Sequence, residues 1–141
     1  MLNKRGIYDD KYADYRIGNL APLYEPIIFA MKPYKKTLTD CVIENDIGGF
    51  VGFDGSIPSN IISIPVNKQN FYHETEKPIA LMEYLIKLFS ISENHIILDF
   101  TMGSGTTGVA CNNLNRNFLG IELNKEYFEI AKERLGVDSN E

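Results

Sequence analysis

Apolar positions recur along this chain in two rhythms, and the second half keeps both of them clearly. Ile79, Met82, Leu85, Ile86 and Phe89 fall at helical spacing and form one stripe, the pattern of an amphipathic helix whose apolar side is core. Thr75 can cap that helix, which is expected to begin near Glu76 with Pro78 in its first turn. The short run Ile96, Ile97 and Leu98 ends on Asp99 and reads as a buried strand. Helix-compatible sequence then runs to about Asn113, and residues 118–122 form a second strand ending on Glu122. Asn124 caps a last helix over 125–135, with Tyr127, Phe128, Ala131 and Leu135 facing inward.

The first half is less regular. Residues 1–16 are polar and without pattern, while 26–32 (PIIFAMK) read as one buried strand closed by Pro33. Residues 37–44 fit a short helix or a strand. Residues 45–60 carry Gly48, Gly49, Gly52, Gly55 and Pro58 and are expected to be loop and tight turns. Residues 60–66 (NIISIPV) are strand-like, and Pro65, which lacks an N–H, places them at an edge. There is no internal repeat or low-complexity segment.

Chemistry concentrates between the two strands of the second half. The turn Gly103-Ser104-Gly105-Thr106-Thr107 follows Asp99 closely and opens the next helix. Glycines let a backbone approach a ligand, and a helix start offers free N–H groups and a positive dipole end. Glu122, ending the following strand, is placed to accept hydrogen bonds from ribose hydroxyls. The order predicts a site for a nucleoside-bearing cofactor, and two readings are open. Gly103, Gly105 and Gly108 fit the G-x-G-x-x-G of a dinucleotide fold. Against that, Asp99-Phe100-Thr101-Met102 intervene before the first glycine, and a carboxylate there suits an amino-acid ammonium better than a pyrophosphate. No Lys follows the glycines, which excludes an ATP phosphate loop.

Composition narrows the partners. The 141 residues carry a net charge of −5 with a pI near 5.1, an unhelpful balance for gripping phosphates. Lys32-Pro33-Tyr34-Lys35-Lys36 is the one compact basic run and reads as a solvated loop. Cys41 and Cys111 are too few for a metal cluster, so no metal site is expected, and Cys111 reads as a small buried packer within its helix. His73 reads as a hydrogen-bonded loop residue. The first residues lack the apolar core of a signal peptide, and no apolar run approaches the roughly 18 residues of a membrane span. A cytoplasmic, reduced chain is expected.

Several motifs then fall in one order: H-x-TEKP at His73 to Pro78, an amphipathic helix, LD-x-x-MGSGTT from Leu98, and GIEL-x-x-EYF-x-IA-x-ERL ending at Leu135. This series resembles the C-terminal half of an S-adenosylmethionine-dependent DNA amino-methyltransferase of the beta class, densely over residues 71–135 and more weakly at 18–26 (GNLAPLYEP). The resemblance implies an α/β fold, a partial Rossmann-like methyltransferase fold with an incomplete doubly wound sheet. It implies S-adenosylmethionine held by Lys77, Asp99, Phe100, Thr101, Gly103, Ser104, Gly105, Thr106 and Glu122. Asp99, Gly103, Gly105 and Thr106 would take the methionine part and Glu122 the ribose. It also implies three segments: 1–70, a remnant of the catalytic subdomain and a shortened target-recognition region; 71–136, the cofactor-binding half; and 137–141, a flexible tail.

The chain departs from the family twice. The family turn reads D-P-F-x-G-S-G, whereas Phe100 here follows Asp99 directly. The family's catalytic tetrapeptide (Asp, Asn or Ser, then Pro-Pro and an aromatic) has no counterpart, because no two of the six prolines are adjacent. The expectation is therefore the cofactor-binding part of a site-specific DNA methyltransferase, adenine N6 favoured over cytosine N4, and inactive alone. Its partners would be DNA and, where the chain is one half of a split enzyme, a second chain carrying the missing half; a truncated gene product and a fragment of a longer protein fit as well. The competing expectations are a non-catalytic S-adenosylmethionine- or nucleotide-binding module and an NAD-binding domain.

Overall fold

The computed structural model describes residues 24–52, 55–65, 72 and 76–137. The readings of residues 1–16, of His73, Thr75 and Val66, and of the tail beyond Val137 lie outside them. The chain divides into two units, Met1–Lys32 and Pro33–Glu141. In the first unit, residues 24–32 are irregular, with Ile28 exposed. The expected strand over 26–32 is not formed. A strand exists only through a neighbour's ladder, and nothing among the described residues pairs with this run. The same correction applies to residues 60–65, which are irregular with Ile61 exposed; Pro65 removes a ladder donor as well.

In the second unit, the open choice at residues 37–44 resolves to a helix, α1 (Leu38–Asn45). A capping box starts it: the Asp40 N–H donates to the Thr37 hydroxyl at 3.2 Å, and the Thr37 N–H donates to the Asp40 carboxylate at 3.1 Å. Helix α2 (Ile79–Phe89) begins three residues later than expected, with Pro78 as its N-cap rather than inside its first turn. The residue before a proline is driven out of the helical region, so Lys77 cannot belong to the helix. Ile86 is buried on its apolar stripe, and Ile79 and Met82 pack against the same cluster. Leu88, off that stripe, is also buried, and the Val51 N–H donates to its carbonyl at 3.0 Å. Phe50 tilts against Phe89 with ring centroids 5.5 Å apart.

Strand β1 (Ile96–Asp99), helix α3 (Thr106–Asn113) and strand β2 (Asn117–Gly120) form a parallel β-α-β unit, with Ile96 opposite Asn117 and Asp99 opposite Gly120. The second strand is one residue earlier at its start and two shorter at its end than expected, so Glu122 lies just beyond it. Two turn bonds carry the chain there: the Ile121 N–H donates to the Asp99 carbonyl at 2.9 Å, and the Met102 N–H to the Ile121 carbonyl at 3.0 Å. Helix α4 (Lys125–Leu135) is capped by the Asn124 side chain, which accepts from the Glu126 and Tyr127 N–H groups, and ends at left-handed Gly136. Ala131 is its buried residue, whereas Phe128 faces outward beneath the Lys132 ammonium rather than inward.

The core is the α2–α3–sheet contact, where Ile86, Ala110 and Cys111 are buried and Ile97, Leu114 and Phe118 close around them. Burial pushes the Cys111 thiol up to about 11, with Arg116 pulling it down and Asp99 pushing it up. It therefore stays protonated and serves as packing. Gly108 lets α3 lie on β2: a Cβ there would stand 2.7 Å from both the Phe118 ring and Leu135. Gly108→Val is expected to destabilise the chain by roughly 1–3 kcal/mol through overpacking. A thermal melt reads this directly, and an unchanged midpoint would remove the packing argument. Among the described residues, no helix is long and apolar enough to cross a membrane.

Candidate functional site

The two candidate acids, Asp99 and Glu122, are each held by the turn that follows a strand. Asp99 ends β1, where the Thr101 N–H donates to one carboxylate oxygen at 3.0 Å and the Thr107 hydroxyl to the other at 2.6 Å. A carboxylate has about four acceptor sites, so Asp99 is oriented yet keeps capacity for a ligand. Glu122 is fixed in the same way, accepting from the Gly103 N–H at 2.8 Å and the Asn124 N–H at 2.7 Å. One acid thus ties the glycine turn to the end of the second strand and leads into the cap of α4.

These groups meet at a cavity of about 570 Å³, within the roughly 300–1,000 Å³ usual for small-molecule sites. Of the residues singled out in the sequence, Lys77, Asp99, Phe100, Thr101, Gly103, Ser104, Thr106 and Glu122 line it. Gly105 does not. It has φ 81° at the N-cap of α3, and a Cβ there would meet the Ala131 Cβ at 3.0 Å, so its lack of a side chain serves the approach of α4. Sequence reasoning gave no site role to Glu76, Met82, Met102, Thr107 and Leu123, which also line the cavity. Met82 lies on the apolar stripe, a pattern that reads as core. Thr107 could have been found from its place eight residues after Asp99, across one turn.

Glu76 also lines the cavity, its side chain 8 % accessible, and it is paired with Arg134 at 3.0 Å. Burial opposes its ionisation, but the Tyr72 N–H, the Thr106 hydroxyl and Arg134 together hold its carboxyl below the usual value of 4.5. With Glu76 neutralised by this pair, Asp99 and Glu122 set the polarity opposite Lys77. Two oriented carboxylates suit an ammonium and neutral hydroxyls and oppose a pyrophosphate. Among the described residues, no three His, Cys, Asp or Glu side chains group as a metal site.

Comparison with known proteins assigns the chain to a family. The family model described as DNA methylase (N6_N4_Mtase) matches residues 3–133. The Type II methyltransferase M.HindIII of Haemophilus influenzae is 37% identical over 143 residues, covering 93% of this chain and 46% of that protein. M.HpaI of Haemophilus parainfluenzae is 46% identical over 90 residues, covering 61% of this chain and 28% of the relative. Among solved structures, the M1.HpyAVI–SAM complex superposes with a TM-score of 0.54 at 45% identity, covering 62% of this chain and 43% of that one. The chain belongs to the DNA methylase family, and its β-α-β unit with flanking helices is part of that family's Rossmann-like fold. It spans less than half the length of these relatives.

Proposed function

We propose that this chain supplies the S-adenosylmethionine-binding part of a site-specific DNA methyltransferase in the cytoplasm, with adenine N6 favoured over cytosine N4 as the target. In this reading residues 71–136 form the cofactor-binding half, and 1–70 are a remnant of the catalytic and target-recognition regions. The observation that carries it is the convergence of Asp99 and Glu122, both oriented by their own turns, on one cavity beside the glycine turn. Asp99 would take the ammonium of the methionine part, with Gly103, Ser104 and Thr106 alongside, and Glu122 the ribose hydroxyls. Lys77, Phe100 and Thr101 complete the wall. Bound there, S-adenosylmethionine supplies a methyl group on a positive sulfur that is open to displacement by an amine. The target base has to leave the duplex to reach such a site. The groups that hold its amine lie, in this reading, outside residues 1–141, in a second chain or elsewhere in a longer protein.

The dinucleotide alternative rests on G-x-G-x-x-G, and two observations count against it: Gly105 packs on Ala131 instead of lining the cavity, and the acids there repel a pyrophosphate. Isothermal titration with S-adenosylmethionine, its demethylated product and NAD separates the readings. The first two are expected to bind, and Glu122→Ala should weaken them by roughly 1–3 kcal/mol, the range for a hydrogen bond to a charged group. Tight NAD binding without response to S-adenosylmethionine would overturn the assignment, and an unaltered affinity in the variant would take Glu122 out of the site.

A further inference from the structure

Arg134 does not line the cavity, yet it reaches three groups that do. It sits at the penultimate position of α4, its side chain 11 % accessible, and its Nη2 pairs with the Glu76 carboxylate at 3.0 Å. Its Nη1 donates to the Ser104 carbonyl at 2.7 Å and the Ser104 hydroxyl at 2.8 Å, with Thr106 Oγ1 at 3.4 Å. Thr106 Oγ1 in turn donates to Glu76 at 2.9 Å, closing a ring of three side chains. On the far side, the Tyr72 N–H donates to the second Glu76 oxygen at 2.9 Å, and the Tyr72 ring lies 4.7 Å from the guanidinium carbon. One planar cation therefore joins the segment before α2, the glycine turn and the last helix.

The geometry points to Arg134 as the positioning residue of the glycine turn, setting the shape of the ligand cavity from behind through Ser104, Thr106 and Glu76. Ala131, one turn earlier on α4, presses against Gly105, so the helix grips the turn at two adjacent points on one face. The task needs a fork. A guanidinium can bond the carboxylate with one nitrogen and the turn with the other, whereas an ammonium is a single point charge. Buried ion pairs are poor sources of net stability, and this one is placed where the position of backbone atoms determines a ligand cavity. The inference rests on the cofactor reading above for its ligand, though not for its geometry.

Arg134→Lys separates a positioning role from a merely stabilising one, because Lys keeps a charge for Glu76 and loses the fork. The variant is expected to melt close to the parent chain while binding S-adenosylmethionine at least about tenfold more weakly, the scale of one lost charged hydrogen bond. Arg134→Met should lose both. Parent-like affinity in Arg134→Lys would show that Arg134 only stabilises and would overturn the proposal. Amide exchange in the ligand-free chain is the second measurement. The Gly103 to Thr106 amides should exchange faster in Arg134→Lys while those around Ala110 do not change, and unchanged turn amides would likewise refute the role. A parent chain that binds no S-adenosylmethionine would sink the cofactor reading alone, and the exchange result would still decide the turn.

Discussion

Incubated with unmethylated duplex DNA and radiolabelled S-adenosylmethionine, the isolated chain is expected to transfer no methyl group above background. The expectation follows from what methyl transfer demands. Orienting two reactants can supply roughly 7–11 kcal/mol of a barrier, and that share requires acceptors that hold the target amine against the methyl group. The carboxylates of this cavity have other duties: Glu76 is engaged by Tyr72, Thr106 and Arg134, and Asp99 and Glu122 are aimed by their own turns. No adjacent proline pair provides the family tetrapeptide. The Ile57-Pro58-Ser59-Asn60 stretch offers polar groups beside a proline, but the Ser59 hydroxyl already accepts from the Ile61 N–H at 3.1 Å. A net charge of −5 gives little pull on a phosphate backbone. Adding a polypeptide that carries the catalytic half should restore incorporation. Clear incorporation by this chain alone would mean that an acceptor of a different kind exists.

What the sequence made legible was local. The turn after Asp99, the Asn124 cap of α4 and the parallel order of the strands rest on neighbours a few residues apart, where periodicity, glycine and capping chemistry act directly. That these residues line one cavity was legible for the same reason: Asp99, Gly103, Ser104 and Thr106 belong to one turn, and Glu122 lies one β-α unit further on. The late start of α2 is local, set by Pro78, but other departures have a distant cause. Residues 26–32 are as apolar as a buried strand, but a strand is made by its partner and not by its own composition. Gly105 matches a ligand-binding pattern and also makes room for Ala131, twenty-six positions away by the numbering, a contact no local pattern announces. The Glu76–Arg134 pair spans even more chain, and single charges on separate segments leave no pattern that announces their meeting.

The sheet carries the second large expectation: the purified chain should associate, with itself or with a partner, rather than sediment as a monomer. Among the described residues, β1 pairs with β2 alone, so one edge of a parallel strand has no ladder partner there. Parallel sheets are ordinarily covered on both faces, and an open apolar edge is a template for pairing. Here alternate residues separate the faces. Ile97 and Phe118 turn toward the core, while Ile96, Leu98, Leu119 and Ile121 are each more than half exposed. Fully burying such a side chain is worth roughly 1.5–3 kcal/mol, so four half-exposed ones hold on the order of 3–6 kcal/mol available to whatever covers them. Beside β1 lies an apolar groove of about 440 Å³ between α2 and the strand, and it shares Met82 and Thr107 with the ligand cavity. A strand seated against β1 would thus border the cavity that holds Asp99 and Glu122. Sedimentation velocity tests the expectation, and replacing Leu98 and Leu119 by Lys should shift the chain toward monomer by charging the open face. A compact monomer of the parent chain with a sharp cooperative melt would show that the face is satisfied without a partner.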